Sequence, residues 1–327
     1  MAEFDLIEIL KQRCASRRDD VHLGIGDDAA VVALPAGHEL VICTDTLVAG
    51  VHFPRETAPA DIGWKSLAVN LSDLAAMGAS PAWATLALTM PEADAGFVSA
   101  FADGFGALAA RHDVALIGGD TTRGPLAITV TTHGFVPSGC AIRRKGAQVG
   151  DAVFVSGTLG DAAGGLRCLQ SIDESGASAL MQQKANQELL ISRLNRPQPR
   201  VAAGIGLRGL ASACIDISDG LIADLGHIAA ASELGIDIEE ECLPGSVALF
   251  ECFDMNTCRT LQKSGGDDYE LAFTIASAKV ELMRIAMTEL GCQVTQLGRV
   301  VARTGVRVFD RNGQHNVSPE KGWEHFT

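Results

Sequence analysis

The sequence predicts an α/β (α+β) fold divided into two domains, and three observations predict it. The chain has 327 residues, more than one ordinary core of ~100–200 residues requires. Hydrophobic residues make up 47% and charged residues 20%, with 35 glycines, a globular composition rather than a disordered or fibrous one. Apolar runs of strand period alternate with helical-period segments in two successive blocks.

Residues 1–20 carry an amphipathic helix pattern (Phe4, Ile7, Ile9, Leu10) that closes on Arg17, Arg18, Asp19 and Asp20. A signal peptide would place a basic stretch before an apolar one, so the chain is expected in the cytoplasm. Segments 39–45, 82–90, 114–117 and 126–136 then read as strands, and 60–77 and 95–111 as helices. Pro137 and Gly139 close this block, giving domains 1–138 and 139–327. The second block reads as a strand at 152–155, helices at 160–169, 177–193 and 200–210, a strand at 214–217 and a helix at 221–234. Strand and helix patterns continue through Phe309. The last stretch is polar yet carries Trp323 and Phe326, so something is expected to pack against it.

Forty acidic residues against 26 basic ones leave a formal charge of −14. Such a field repels nucleic acid and anionic lipid, so neither is an expected partner. It would also repel a nucleoside triphosphate unless divalent cations screened the carboxylates from the phosphates. The nine cysteines include no C-x-x-C pair and are odd in number, which fits reduced thiols better than a disulfide framework.

Aspartates recur at the ends of apolar runs. G-I-G-D-D-A-A at 24–30 sets two carboxylates between small residues; C-T-D-T at 43–46 ends an apolar strand, where ligands of an α/β sheet gather. Asp73 interrupts an apolar segment, Asp120 follows L-I-G-G, Asp216 and Asp219 follow another apolar run, and G-G-D-D-Y-E spans 265–270. Each alone reads as a turn or an N-cap; together they read as a metal cluster. Oxygen ligands suit Mg²⁺ or Ca²⁺, whereas zinc would call for closely spaced histidine and cysteine.

S-G-T-L-G-D-A-A-G-G at 156–165 follows a strand and opens a helix, so its backbone N–H groups are candidates for phosphate oxygens. No G-x-x-x-x-G-K-[ST] loop occurs. G-I-G-L-R-G at 204–209 matches a dinucleotide pattern but lies in a helical stretch. H-R-D, D-F-G, G-x-S-x-G and H-E-x-x-H are absent, against protein kinases, serine hydrolases and zincins. Among the few basic groups, Arg144 or a neighbour is the candidate for nucleotide phosphates, with a solvated hinge cluster as the alternative.

Read in order, G-I-G-D-D-A, T-D-T-L-V-A-G-V-H-F, N-L-S-D-L-A-A-M-G-A, L-I-G-G-D-T-T-R-G, D-I-S-D-G-L and G-G-D-D-Y-E-L, with the closing K-G-W-E-H-F, resemble the thiamine-monophosphate kinase family. The resemblance covers about 4–326. It implies the two-domain aminoimidazole ribonucleotide synthetase-like fold: an N-terminal mixed sheet with helices that dimerises, a C-terminal α/β domain, and an ATP–magnesium site between them. It further implies that Asp28, Thr44, Asp45, Asp73, Asp120, Asp216 and Asp219 hold several Mg²⁺ ions, with Cys43 offering its backbone carbonyl. Gly119, Asp120, Arg144 and Ser218 would contact ATP, and His52, Asp267 and Trp323 would hold thiamine monophosphate. Asp120, Asp45 and Asp219 become the expected catalytic residues. Where the family often has serine and glutamate, this chain has Cys43 and Asp267. The rival readings are a non-catalytic nucleotide or metal sensor and an amidine-forming synthetase.

Overall fold

A computed structural model describes residues 3–14, 18–172 and 181–316, in two units, Met1–Leu74 with Ala79–Ala141 and Ala75–Gly78 with Ile142–Thr327. The first unit begins with helix α1 (Glu3–Arg13) and the short antiparallel pair β1 (Val21–Leu23) and β2 (Val31–Val32). Strand β3 (His38–Val48), helix α2 (Pro59–Ala76), strand β4 (Ser80–Met90), helix α3 (Ala95–Arg111), β5 (Ala115–Arg123) and β6 (Ala127–Pro137) follow. The sheet order is β3-β6-β4-β5, with only β4 and β5 parallel, as a helical crossover between them requires.

Period-two alternation gives this sheet one buried face, with Ala84, Leu86, Leu88, Ile128 and Val130. The opposite face carries Thr44, Thr46, Thr85, Ala87, Thr129 and Thr131 and is more open. Helix α2 lies against the buried face, where the Cys43 thiol donates to the Asn70 carbonyl at 3.3 Å. Helices α2 and α3 touch backbone to backbone: a Cβ on Gly63 would fall 2.0 Å from the Phe101 carbonyl oxygen, and one on Gly104 1.8 Å from that of Ala60. Near β1 and β2, Trp83, Ala115, Ile117 and Phe135 form a small core with Val21 and Val32.

The second unit runs β7 (Ala152–Ser156), α4 (Asp161–Ile172), α5 (Met181–Asn195), α6 (Val201–Gly206), β8 (Ala211–Asp216), α7 (Leu221–Ser232) and β9 (Gly235–Glu239). It continues with α8 (Val247–Cys252), α9 (Met255–Ser264), β10 (Leu271–Ile275), α10 (Val280–Glu289), β11 (Val294–Val301), β12 (Gly305–Phe309) and β13 (His315–Asn316). Seven strands pair in the order β13-β12-β9-β11-β7-β10-β8. On one face Val153, Val155, Ile215 and Ile236 join Leu221, Leu225 and Ile228 of α7 in the main core. On the other, Phe154 stacks on Phe273 with centroids 5.8 Å apart.

Helix α6 ends at Gly206 rather than at 210, and its glycines serve packing. A Cβ on Gly204 would lie 2.0 Å from the Ala75 carbonyl oxygen, and one on Gly206 2.8 Å from Leu290 Cδ1. Among the described residues no helix is long and apolar enough to cross a membrane.

Candidate functional site

In the first unit the expected residues lie on regular elements, except Asp28 and His52, which lie in turns. Cys43, Thr44 and Asp45 sit inside β3, which runs on to Val48, not at its carboxyl end as the sequence reading had it. Pairing with β6 extends the strand, and the Thr44–Thr131 and Thr46–Thr129 hydroxyl pairs, each at 2.9 Å, line it. Thr44 is exposed and Asp45 half-buried. The Cys43 thiol is turned inward, 2.9 Å from Thr132 Oγ1, so its side chain packs.

Strand β5 likewise continues through Asp120 to Arg123 instead of stopping at the glycines. Gly119 holds φ +155°, and a Cβ there would lie 1.9 Å from the Leu86 carbonyl oxygen; only glycine lets β5 approach β4 so closely. Asp120 is exposed. Its row across the sheet is Asp120, Ala87, Thr129, Thr46, next to Gly119, Leu86, Val130, Asp45. Asp45 and Asp120 therefore stand on opposite edge strands, three strand spacings or about 14 Å apart.

Asp73 is half-buried on α2. On the same stretch of helix Asn70 Oδ1 and Ser72 Oγ are buried without a hydrogen-bond partner. Asp28 is exposed, its N–H bonded to Asp27 Oδ1 at 2.8 Å. The His52 Nδ1 accepts from the Val48 N–H at 2.9 Å, which puts the ring proton on Nε2. Buried Lys65 donates to the His52 carbonyl at 3.2 Å.

In the second unit two loops lie side by side. The Tyr269 N–H donates to the Ile217 carbonyl at 2.8 Å and the Asp267 N–H to the Ser218 carbonyl at 2.9 Å. Asp267 and Tyr269 take the left-handed region, φ +69° and +49°, an uncommon conformation for such residues. The Tyr269 hydroxyl donates to Asp267 Oδ1 at 3.0 Å. The structure thus brings Asp216, Ser218, Asp219 and Asp267 into one neighbourhood. Arg144 is exposed in a segment beside β8, where the Arg143 carbonyl accepts the Cys214 N–H at 3.0 Å.

Three residues that sequence reasoning left without a role shape this neighbourhood. Asp224 on α7 is 2% exposed and accepts the N–H groups of Ser218, Asp219 and Gly220. Burial, then the charges of Asp216 and Asp219, push its carboxyl up to about 8. A carboxylate four residues past a D-G pair at a helix start is a variant of the capping box, and that signal was legible. Buried Asp268 accepts the N–H groups of Gly160 and Ala162 at 2.7 and 3.3 Å. These amides of the 156–165 segment, expected to cradle phosphate, already hold a carboxylate of the chain. Glu270, 1% exposed, accepts from Ser156 Oγ at 2.6 Å, from Arg193 at 3.1 Å and from Nε and Nη2 of Arg200, one bidentate edge of its guanidinium.

Among the described residues no three histidine, cysteine, aspartate or glutamate side chains gather closely enough to hold a metal ion. The expected aspartates are divided between edge strands, a helix and a loop. Trp323 lies outside the described residues.

The sequence matches the family described as AIR synthase related protein in both parts, the N-terminal domain over 26–136 and the C-terminal domain over 148–311. A thiamine-monophosphate kinase of Salmonella typhimurium is 46% identical over 324 residues, covering 99% of this chain and 98% of that protein. The crystal structure of thiamine-monophosphate kinase from Stenotrophomonas maltophilia superposes with a TM-score of 0.87 at 51% identity, covering 97% of this chain and 98% of the other. AaThiL complexed with AMPPCP and TMP gives a TM-score of 0.78 at 34% identity, over 99% of this chain and 97% of that one. With both halves of the chain matched and near-complete coverage at such identity, the chain belongs to the thiamine-monophosphate kinase family of AIR-synthase-related proteins.

Proposed function

We infer that the chain transfers the γ-phosphoryl group of ATP to thiamine monophosphate, giving thiamine diphosphate and ADP. The observation that carries the reading is the paired loops of the second unit. There Ser218 and Asp219, expected on the nucleotide and metal, are hydrogen-bonded through Ser218 to Asp267, expected on the substrate. A relative, AaThiL, holds AMPPCP and TMP together, which supports transfer directly from one bound molecule to the other. A substrate phosphate oxygen is already ionised at pH 7, so in-line attack needs no general base, and positioning carries the catalysis.

In this reading Gly119, Asp120, Arg144 and Ser218 bind ATP, while His52, Asp267 and Trp323 bind thiamine monophosphate. The Asp267 carboxylate attracts the thiazolium cation, and the Trp323 indole offers it a π-face. Mg²⁺ ions would be held by Asp28, the Cys43 carbonyl, Thr44, Asp45, Asp73, Asp120, Asp216 and Asp219. The donor set is oxygen throughout, as Mg²⁺ requires, and the orphaned Asn70 Oδ1 and Ser72 Oγ mark a polar site beside Asp73. When bound, such ions neutralise the charge that would otherwise hold the two phosphates apart.

A homodimer belongs to the same reading. Asp45 and Asp120 stand on opposite edges of one sheet, whose open face also exposes Leu40 and Ile42, at 40% and 55%, to a second copy. Cytoplasmic location is supported by nine cysteines that are all free thiols, and the acidic charge supports small-molecule partners over nucleic acid or membrane. Incubation with ATP, Mg²⁺ and thiamine monophosphate tests the activity: ADP and thiamine diphosphate are expected in equal amounts. Nucleotide binding without product would replace the kinase by a sensor, and free phosphate without thiamine diphosphate by a synthetase.

A further inference from the structure

We propose that Asp224 is the positioning residue of the 216–220 loop, and through it of Ser218 and Asp219; this rests on the roles given to those two residues above. Helix α7 starts after Gly220, which occupies the cap position and has no side chain to satisfy the first amides. Asp224, one turn into the helix, supplies the missing acceptor. Its Oδ2 takes the N–H of Ser218 at 3.1 Å, of Asp219 at 3.1 Å and of Gly220 at 3.2 Å.

Three donors on one oxygen fix three consecutive peptide planes. The Ser218 peptide is held from its other side as well. Its carbonyl accepts the Asp267 N–H at 2.9 Å, and a Cβ on Gly266 would fall 2.5 Å from that oxygen. The loop is clamped between α7 and the 265–270 segment, so the directions in which Ser218 and Asp219 present their oxygens follow from Asp224. With no carboxylate at 224, three amides lose their acceptor and the loop is free to rotate.

The test uses the full chain and two readouts, amide hydrogen exchange of the ligand-free protein and equilibrium binding of ATP with Mg²⁺. In Asp224→Ala the amides of 218–220 should lose protection, and ATP should bind about 10–100-fold more weakly, the usual cost of losing an outer-shell support. In Asp224→Asn the amide oxygen still accepts, and the loss should shrink to about threefold. A folded Asp224→Ala with native protection and affinity overturns the proposal, as does an Asp224→Asn that loses as much as Asp224→Ala. If the alanine variant does not fold, Asp224→Glu takes its place, keeping the carboxyl group but moving its oxygen by one methylene; native affinity there also overturns the proposal. Asp219→Asn separates the two readings. Unchanged ATP affinity and turnover in it defeat the role given to the loop itself, whereas a weakened Asp219→Asn beside an unaffected Asp224→Ala defeats only the role of Asp224.

Discussion

The two units place their acidic residues by different means. In the first, Asp45 and Asp120 stand on strands β3 and β5 and Asp73 on α2, so register and helical phase fix their direction. In the second, Asp216 ends strand β8, but Ser218, Asp219 and Asp267 occupy loops held by buried carboxyl groups, Asp224, Asp268 and Glu270. The difference teaches that removing a functional side chain and removing its support separate in the first unit and merge in the second.

The largest expected effect tests the first half of that contrast. Asp120 is exposed on a strand, so Asp120→Asn should cut turnover about 10²–10³-fold while the thermal midpoint stays unchanged. Near-normal turnover would remove Asp120 from the mechanism. Glu270→Ala should do the reverse in the second unit. It leaves Arg193 and Arg200 facing an empty buried site, and urea titration should register a loss of about 3 kcal/mol. A loss under about 1 kcal/mol would show that the loops do not depend on their buried charges.

Gly104→Ala asks how rigid the first unit's frame is. The new methyl would collide with the Ala60 carbonyl, so denaturation should show a loss of about 1–3 kcal/mol with nucleotide affinity retained. If affinity collapses too, the first unit's frame is as coupled to its site as the second's.

The smallest effect concerns Asp20. The Arg18 guanidinium, at 2.7 Å, holds its carboxyl below the usual carboxylate range, with help from the Trp83 N–H. A depressed folded value means stability that is present above the ordinary carboxylate pKa of about 3.9 and lost as pH falls through the lower folded value. Asp20→Asn should therefore cost about 0.5–1 kcal/mol at pH 7, a cost that fades as pH falls below about 3.9 and through the lower folded value. A pH-independent loss would make Asp20 a packing residue instead of a charge partner.

Much of this was legible in the sequence because the signal was local. The β4 alternation and the apolar face of α3 placed 82–90 and 95–111 to within a residue or two of Ser80–Met90 and Ala95–Arg111. The ends of β3 and β5 were misjudged because threonine and glycine lower the apolar signal, whereas cross-strand pairing continues through them. The two residues of β2, at Val31–Val32, are too short to show a period. In the candidate site, Asp267 was visible as a polar interruption; Asp224 carries a capping-box signal four residues past the D-G pair, but that signal is weak beside the many acidic residues that simply lie on helices. The fate of the 156–165 amides was hidden because Asp268 lies 108 residues from Gly160, a separation across which no local pattern reports.

That last arrangement has a wider consequence. Burial pushes the Asp268 carboxyl well above its ordinary range, and the two amides it accepts pull it back. Helix α4 thus starts on a carboxyl group that is a permanent tenant, covalently part of the chain and impossible to wash out. A glycine-rich turn before a helix advertises an appetite for negative charge, but the advertisement reads the same whether a visitor or a member of the family answers it. In this chain the turn works as a latch between the 265–270 segment and α4, and its Gly160 and Ala162 amides are closed to a visiting phosphate.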